Sequence, residues 1–274
     1  MDESLTDLRR TFDRTKDIAK LDGYTTRGIE HRWDIFRKAL AHRKPRTALD
    51  FGAGSLRETF ELSLLGIDVT AVDLDESTLN AYADDYEWIN TRPVIIASGS
   101  EQEIPAGPFD LIIAFDVIEH LAVPETYLRA LVDRLAPGGC IFLIVPSAWS
   151  LWEVVGQINL WTARWVGREI VEGEPHLQFR TPGSWERLFR DCDLAVAHRD
   201  MALGFFCNSW SAFIEAPARL FGRLRRSFSS SKSPNVFSQQ IPLARFFTKL
   251  DERSTFLKPF WASALYVLES TRSA

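Results

Sequence analysis

Short runs of apolar residues alternate with amphipathic stretches through the middle of this chain. The apolar runs predict buried strands at 47–51, 68–72, 93–97, 109–115 and 140–145. Apolar positions at helical spacing predict helices at 56–65, 76–84 and 127–135, with a further helix entering at Val117. Strands that alternate with helices imply right-handed crossovers and a parallel sheet with both faces covered.

The pattern changes at both ends of this alternation. Two amphipathic helices, at 3–21 and 27–42, come before it, and a helix at 182–191 and strands at 194–199 and 262–268 come after it. The chain is therefore predicted to be an α/β protein with a doubly wound, mostly parallel, seven-stranded sheet. The predicted units are an N-terminal helical lid at 1–45, a core at 46–203 with an aromatic insert at 149–173, a helical and basic insert at 204–260, and a final core strand at 261–274.

Composition narrows the class of protein. The net charge of −5 argues against a surface that coats nucleic acid. Cys140, Cys192 and Cys207 are far apart and form no CxxC pair, which argues against a thiolate zinc site and fits a reducing cytoplasm. The first 20 residues lack the apolar core of a signal peptide, and no apolar run is long enough to span a membrane. We therefore predict a cytoplasmic protein, with peripheral membrane contact left open.

Three short segments would meet at the carboxyl ends of the strands, where open α/β sheets bind ligands. Glycines let the backbone turn and approach a ligand, a carboxylate can accept both hydroxyls of a ribose, and a third segment would face an adenine. The candidate ligand-binding residues in these segments are Asp50, Gly52 and Gly54, then Asp73 and Leu74, then Ser100 and Glu101. The residues alone also allow simpler roles, with the glycines as turn residues and Asp73 as a helix N-cap.

A family resemblance runs through the same region. The sequences A-L-D-F-G-A-G, V-T-A-V-D-L-D, P-F-D-L-I-I-A-F-D-V-I-E-H-L and L-A-P-G-G-C-I-F-L-I-V-P, in residues 47–146, resemble the class I S-adenosylmethionine (SAM)-dependent methyltransferases. H-L-Q-F-R-T-P-G-S-W, at 176–185, resembles the family's segment after the fifth strand. Within the family, the chain looks most like the ubiquinone-biosynthesis type of O-methyltransferase. The resemblance implies a Rossmann-like methyltransferase fold and SAM as the cofactor.

The resemblance also implies roles for single residues. Arg32 would pair with the methionyl carboxylate of SAM, and Phe115 would line the methionyl end. Gly52 and Gly54 would pass near the amino-acid part, and Asp73 would hold the ribose. Arg32 also suits a solvated helix face, because several arginines share that helix.

Two positions depart from the family pattern. Leu56 occupies the third small position, so the helix must start differently. Ser100 replaces the usual adenine-binding aspartate, and its hydroxyl would bond the adenine amino group without charge assistance, a loss of about 1 kcal/mol.

Candidate catalytic groups follow the fourth strand. On a helix, Asp116, Glu119 and His120 would share one face, and His176 would enter from the segment after strand five. These four residues suit a divalent metal such as Mg²⁺. Alternatively, Glu119, His120 and His176 would take the acceptor's proton without a metal. Local packing and hydrogen bonding is the third interpretation.

The inserts indicate the kind of acceptor. Four of the nine tryptophans fall in one stretch together with aliphatic residues, namely Trp149, Trp152, Trp161 and Trp165. Such rings line apolar pockets or lie at membrane interfaces. The second insert adds a basic amphipathic helix after Pro217 that would suit an anionic membrane. The inserts would form a lid over a small hydrophobic acceptor, contact a membrane, or form a homodimer.

The sequence thus favours SAM-dependent O-methylation of a small, hydrophobic or aromatic, hydroxyl-bearing molecule, with N- or C-methylation as the nearest variant. A protein that only binds SAM or S-adenosylhomocysteine is the rival from another class. A nicotinamide-dependent dehydrogenase fits less well, because Arg57 stands where the last glycine of G-x-G-x-x-G would be.

Overall fold

A computed structural model describes residues 43–54, 56–74, 94–97, 101–150, 176–202, 204–206 and 253–272, together with residues 36, 38, 40, 153, 154, 157, 250 and 251. The predicted helices at 3–21 and 76–84 and most of both predicted inserts lie outside the described residues. Among the described residues, no helix has both the length and the apolar character that crossing a membrane requires.

The described chain forms one seven-stranded sheet of order β3-β2-β1-β4-β5-β7-β6. Neighbouring strands from β1 to β5 pair in parallel, and β7 runs antiparallel to both β5 and β6. The predicted mostly parallel sheet is therefore confirmed. The strands are β1 Thr47–Phe51, β2 Asp68–Asp73, β3 Val94–Ala97, β4 Phe109–Phe115, β5 Leu135–Pro146, β6 Leu194–Ala202 and β7 Ser263–Ser270.

Three α-helices with described bounds connect these strands: α1 Arg57–Leu64, α2 Pro124–Val132 and α3 Pro182–Asp191. Both α2 and α3 begin with proline, whose missing N–H and fixed φ suit the first helical position. The side chain of Thr181 caps α3 by accepting from the Ser184 N–H.

Two sequence predictions about these connections were wrong. The helix expected at Val117 is a single 3₁₀ turn, Ile118–His120, and the next helix starts at Pro124 rather than at Tyr127. Strand β5 begins at Leu135, before the predicted strand at 140–145, so residues 137–139 lie inside it. Gly138 has a φ of 77° there, and the register with β4 shifts between Phe109 and Leu111. The glycine thus permits a left-handed backbone where the pairing of the two strands is irregular.

The core lies on both faces of the sheet. Alternate residues of β1, β4 and β5 point to opposite sides, so that Leu49, Ile112 and Leu143 pack in one cluster while Leu111 and Phe142 pack in the other. Helices α2 and α3 contribute to the first cluster through Leu128 and Trp185, among others. These central strands are buried on both faces, as crossover connections require, and their ends form a rigid edge for a site.

Candidate functional site

The donor loop, residues 50–54, turns across the carboxyl end of β2. Phe51 pairs with Val72, and the N–H groups of Gly52 and Ala53 both donate to the Val72 carbonyl, over 2.8 and 3.0 Å. The Gly54 N–H donates to Asp73 Oδ2 over 2.8 Å. The structure thus brings the predicted glycines and the predicted acid together at one edge of the sheet.

Gly52 is required by close approach as well as by conformation. Its φ is 82°, and a Cβ at this position would overlap the side chain of Val117. Val117 directly precedes the 3₁₀ turn that follows β4. The donor loop therefore packs against the turn that carries Glu119 and His120.

Asp50 lies beneath this loop. Only 3% of the residue is exposed, and its Oδ2 accepts from the Thr59 hydroxyl over 2.6 Å, which ties β1 to α1. Burial, aided by the charges of Glu58 and Asp73, raises the pKa of Asp50 to about 8 in spite of that hydrogen bond. This location makes Asp50 a support of the loop.

The other predicted donor-binding residues lie in different settings. Leu74 follows Asp73 and is 64% exposed, so its side chain is open to a ligand. The Glu101 carbonyl accepts from the Arg134 guanidinium over 3.3 Å. Phe115 ends β4 and packs on Phe142, with ring centroids 5.5 Å apart. Arg32 and Ser100 lie outside the described residues.

The predicted departure at Leu56 has a structural consequence. Leu56 precedes α1 with a φ of 59° and a ψ of 23°, in the left-handed region that favours glycine, and its side chain is fully buried. An L-residue in this conformation costs about 1–2 kcal/mol. Burial of the leucine offsets that cost.

The acceptor-side cluster, which we define as Glu119, His120, His176 and Glu153, forms where two loop segments meet. The segment that contains Leu177 and Gln178 docks on the 3₁₀ turn, because both N–H groups donate to the Glu119 carbonyl, over 2.8 and 2.9 Å. This pairing brings the rings of His120 and His176 to a centroid distance of 4.9 Å, at an interplanar angle of 77°.

Three of the four predicted metal ligands gather in this cluster. Glu119, His120 and His176 each offer a ligand atom, and these atoms lie within 4.8 Å of one another. Asp116 is not among these three; its backbone has a φ of 55°, and its N–H donates to the Ile144 carbonyl. Its charge nevertheless acts on His176.

Glu153 was not identified from the sequence. Its Oε1 lies 2.6 Å from Nδ1 of His176, and it is buried with 4% exposed. Burial lowers the pKa of His176, but the hydrogen bond to Glu153 and the charges of Glu153 and Asp116 outweigh it, so the pKa lies above its ordinary value. No local sequence pattern pairs residues 153 and 176.

A cavity of about 560 Å³ opens beyond the carboxyl end of β6. It is bounded by apolar side chains together with two cations, an acid and the first residues of α3. The lining residues are Trp149, Thr181, Pro182, Gly183, Arg199, Asp200, Met201, Lys258 and Pro259. Because β5 and β7 separate β6 from β4, the end of β6 lies about 14 Å along the sheet from the end of β4, at roughly 4.8 Å per strand.

Three residues of the cluster, Glu119, His120 and His176, offer ligand atoms for a metal ion. Ligands bound at about 2.0–2.2 Å lie closer together than 4.8 Å, so the side chains would move inward slightly to bind one. Two imidazoles and a carboxylate suit zinc or iron better than the Mg²⁺ named from the sequence, because magnesium prefers oxygen ligands.

Comparisons with known proteins identify the family of this chain. A family described as methyltransferase domain matches residues 26–199, more than half of the chain. The chain is 33% identical over 120 residues to a ubiquinone biosynthesis O-methyltransferase of Caulobacter vibrioides, a match that covers 41% of this chain and 45% of that protein. It is 31% identical over 144 residues to a ribosomal protein L11 methyltransferase of Allorhizobium ampelinum, covering 45% and 47%. The matches thus span about half the length of these relatives.

A solved structure supports the fold. The chain is similar to a SAM-dependent methyltransferase from Thiobacillus denitrificans in complex with S-adenosyl-L-homocysteine, with a TM-score of 0.53 and 14% identity. The match covers 91% of this chain and 93% of that chain. At this identity the similarity shows the Rossmann-like fold.

Proposed function

We propose that this chain, which belongs to the SAM-dependent methyltransferase family, transfers the methyl group of SAM to a hydroxyl oxygen of a small hydrophobic or aromatic acceptor. SAM binding is typical of the family. The observation that carries the choice of an oxygen acceptor is the acceptor-side cluster, where a carboxylate and two imidazoles place ligand atoms within 4.8 Å of one another. A hydroxyl acceptor must lose a proton, and these groups are able to take it.

The donor would lie against the donor loop. Asp73 has a carboxylate oxygen that already accepts from the Gly54 N–H, and a carboxylate offers further acceptor sites for ribose hydroxyls. Gly52 and Gly54 would let the backbone approach the amino-acid part of SAM. The chain's task is then to hold the acceptor in line with the methyl carbon and to exclude water.

The proton would leave through the histidines. His176 has a raised pKa and a buried carboxylate hydrogen-bonded to its ring, so its neutral form would accept a proton from the acceptor. His120 lies at its edge. If the protein holds a divalent metal, Glu119, His120 and His176 would bind it, and the ion would supply Lewis-acid activation of the acceptor hydroxyl.

The cavity beyond β6 supports an acceptor with an apolar body. Its walls include Trp149, Met201 and Pro259, and Met201 belongs to β6, three strand spacings from β4. We assign it to the far end of the acceptor. The names of the relatives point to different roles, ubiquinone biosynthesis for one and methylation of ribosomal protein L11 for the other, so they do not indicate one acceptor.

The donor half of the proposal is tested by calorimetry with SAM on the wild type and on Asp73→Ala. Loss of a charged acceptor of two ribose hydroxyls should weaken SAM binding by about 100-fold, or about 3 kcal/mol. The matched control is Asp68→Ala, which removes an exposed aspartate from the other end of the same strand and should leave the affinity unchanged. Equal SAM affinity in wild type and Asp73→Ala would contradict the assigned site.

The acceptor half is tested with matched probes. 4-Hexylphenol and 4-hexylaniline have the same shape and differ in the accepting atom, and formation of S-adenosylhomocysteine reports methyl transfer to either. The proposal expects turnover of the phenol. Turnover of the aniline alone would indicate N-methylation, and tight SAM binding without turnover of either probe would favour the rival, a SAM-binding protein that does not methylate such molecules.

A further inference from the structure

We infer that Glu153 is a positioning residue that fixes the tautomer of His176, so that Nδ1 carries the ring proton and Nε2 keeps its lone pair for the acceptor or a metal. The inference rests on the proposed function only for the use made of Nε2. The geometry itself concerns two residues that are 23 positions apart in the chain.

The contact is short and partly removed from water. Glu153 Oε1 lies 2.6 Å from His176 Nδ1, the glutamate side chain is 5% exposed and the histidine side chain 30%. A carboxylate is only an acceptor of hydrogen bonds, so the proton in this contact belongs to Nδ1. In a neutral imidazole the hydrogen bond made by one nitrogen decides the state of the other, which leaves Nε2 as the nitrogen with a lone pair.

Local sequence would give Glu153 a different partner. Ser150 and Glu153 have the S-x-x-E spacing of a capping box, in which the glutamate reaches back to the N–H of the serine. Half of that motif is present, because the Glu153 N–H donates to Ser150 Oγ over 3.1 Å. The Ser150 N–H, however, donates to the Ser147 carbonyl over 2.8 Å. The Glu153 carboxylate therefore does not cap the Ser150 N–H and instead contacts His176.

A second residue on the same helical face holds the same histidine. Residues 153 and 157 are both helical and four positions apart, so their side chains share a face. Gln157 Nε2 donates to the His176 carbonyl over 3.4 Å. Glu153 thus holds the ring while Gln157 holds the backbone, and the Leu177 and Gln178 N–H groups fix the segment from the other side.

A carboxylate in this position is expected to act through the histidine. Partners of this kind orient the ring of a working imidazole and raise its basicity, and their removal typically costs about 10- to 100-fold in activity or metal affinity.

The test reads the tautomer directly. In ¹⁵N-labelled protein, long-range ¹H–¹⁵N correlation distinguishes Nδ1–H from Nε2–H histidine, and His176→Gln identifies the His176 signals among the five histidines. Spectra are recorded on the alkaline side of the His176 titration, where the ring is neutral. We expect Nδ1–H in the wild type and loss of that preference in Glu153→Ala. The matched control is Asp133→Ala, which removes an exposed carboxylate paired with Arg272 and should leave the Nδ1–H state intact.

Glu153→Gln keeps the test decisive if the alanine variant does not fold. Its amide has nearly the volume of the carboxylate but offers a donor as well as an acceptor, so the Nδ1–H preference should again weaken. An Nε2–H state in the wild type would overturn the inference. An undiminished Nδ1–H state in the folded variants would overturn it as well.

SAM calorimetry on the same samples separates this inference from the proposed function. Glu153→Ala should bind SAM within about twofold of the wild type, while turnover of 4-hexylphenol should fall about 10- to 100-fold with little change in the KM for SAM. If the wild type does not bind SAM, the proposed function fails and the tautomer result is unaffected. If SAM binds and the tautomer is not held by Glu153, this inference alone fails.

Discussion

The donor loop and the acceptor-side cluster occupy the same edge of the sheet, but they are built in different ways. Gly52, Ala53 and Gly54 bond to Val72 and Asp73 at the ends of two strands that pair directly. The cluster joins a 3₁₀ turn, a helical residue and a loop, from Glu119, Glu153 and His176. Strand pairing fixes the first site, whereas the second depends on how separate loop segments dock.

This difference explains how a fold keeps one function and varies another. A site made of strand ends is positioned by the core, while a site made of loops changes with the loops that are attached. The curated relatives fit this view, since their names share methyl transfer but place it in ubiquinone biosynthesis in one case and on ribosomal protein L11 in the other. The two sites can be distinguished by measuring the stability of the donor loop, its contact with the cluster, and the strain at the position where it departs from the family pattern.

The largest expected effect concerns Asp50, the buried carboxylate beneath the donor loop. Its folded pKa of about 8 lies above the unfolded value of about 3.9, so folding favours the protonated form. The contribution of Asp50 to stability is therefore full below about pH 4 and is lost as the pH rises to about 8, by about 6 kcal/mol at most. Asp50→Asn can still accept from the Thr59 hydroxyl and does not ionise, so its stability should not fall over this pH range.

The measurement is the free energy of unfolding in urea, for the wild type and Asp50→Asn from pH 5 to pH 9. The difference between the two should change by about 1.4 kcal/mol per pH unit between pH 5 and pH 7 and become constant above about pH 8. Asp68→Asn, an exposed site on β2, serves as the control and should show no such slope. A difference that stays constant across the range would mean that Asp50 ionises freely in the folded protein.

The same contrast marks what the sequence reveals. Strands β1 and β4 have the predicted bounds, and Gly52, Gly54 and Asp73 meet as expected, because apolar runs and the residues at their ends are local signals. The helix predicted at Val117 does not form, because two features that leave no periodicity in the sequence shape residues 116–120. Asp116 lies in the left-handed region, and the N–H groups of Leu177 and Gln178 donate to the Glu119 carbonyl.

Glu153 shows the limit most clearly. Its nearest sequence pattern is the capping spacing with Ser150, which predicts that the Glu153 carboxylate accepts from the Ser150 N–H. In the structure that N–H donates to the Ser147 carbonyl instead. Its real partner, His176, is brought to it by tertiary packing. The helical spacing predicted for Asp116, Glu119 and His120 is replaced by a 3₁₀ turn, and this turn places Glu119 and His120 beside His176.

The next effect in size tests whether the two sites are independent. Gly52→Ala combines a left-handed backbone, which costs an L-residue about 1–2 kcal/mol, with overlap against Val117, and overpacking costs about 1–3 kcal/mol. We expect a loss of about 3 kcal/mol in the free energy of unfolding. Because Val117 leads into the 3₁₀ turn, the His120 and His176 signals should shift as well.

Gly66→Ala is the matched control for this variant. Gly66 has a φ of 79°, close to that of Gly52, but a Cβ there meets nothing within 4 Å. Gly66→Ala should therefore lower the free energy of unfolding only by the cost of the left-handed backbone, about 1–2 kcal/mol, and leave the histidine signals unshifted. Equal losses in the two variants, with unmoved histidines in both, would show that the donor loop and the cluster do not communicate through Val117.

The smallest expected effect isolates the strain at Leu56, where the donor side departs from the family pattern. Leu56→Ala and Leu56→Gly both remove a fully buried side chain and should both destabilise the protein by a few kcal/mol. Only glycine also relieves the left-handed backbone, with its φ of 59°. The glycine variant should therefore be more stable than the alanine variant by about 1 kcal/mol in urea unfolding, whereas in an unstrained helical position glycine is the less stable of the two by a similar amount. A glycine variant that is the less stable one would mean that α1 starts without strain and that Leu56 is held by packing alone.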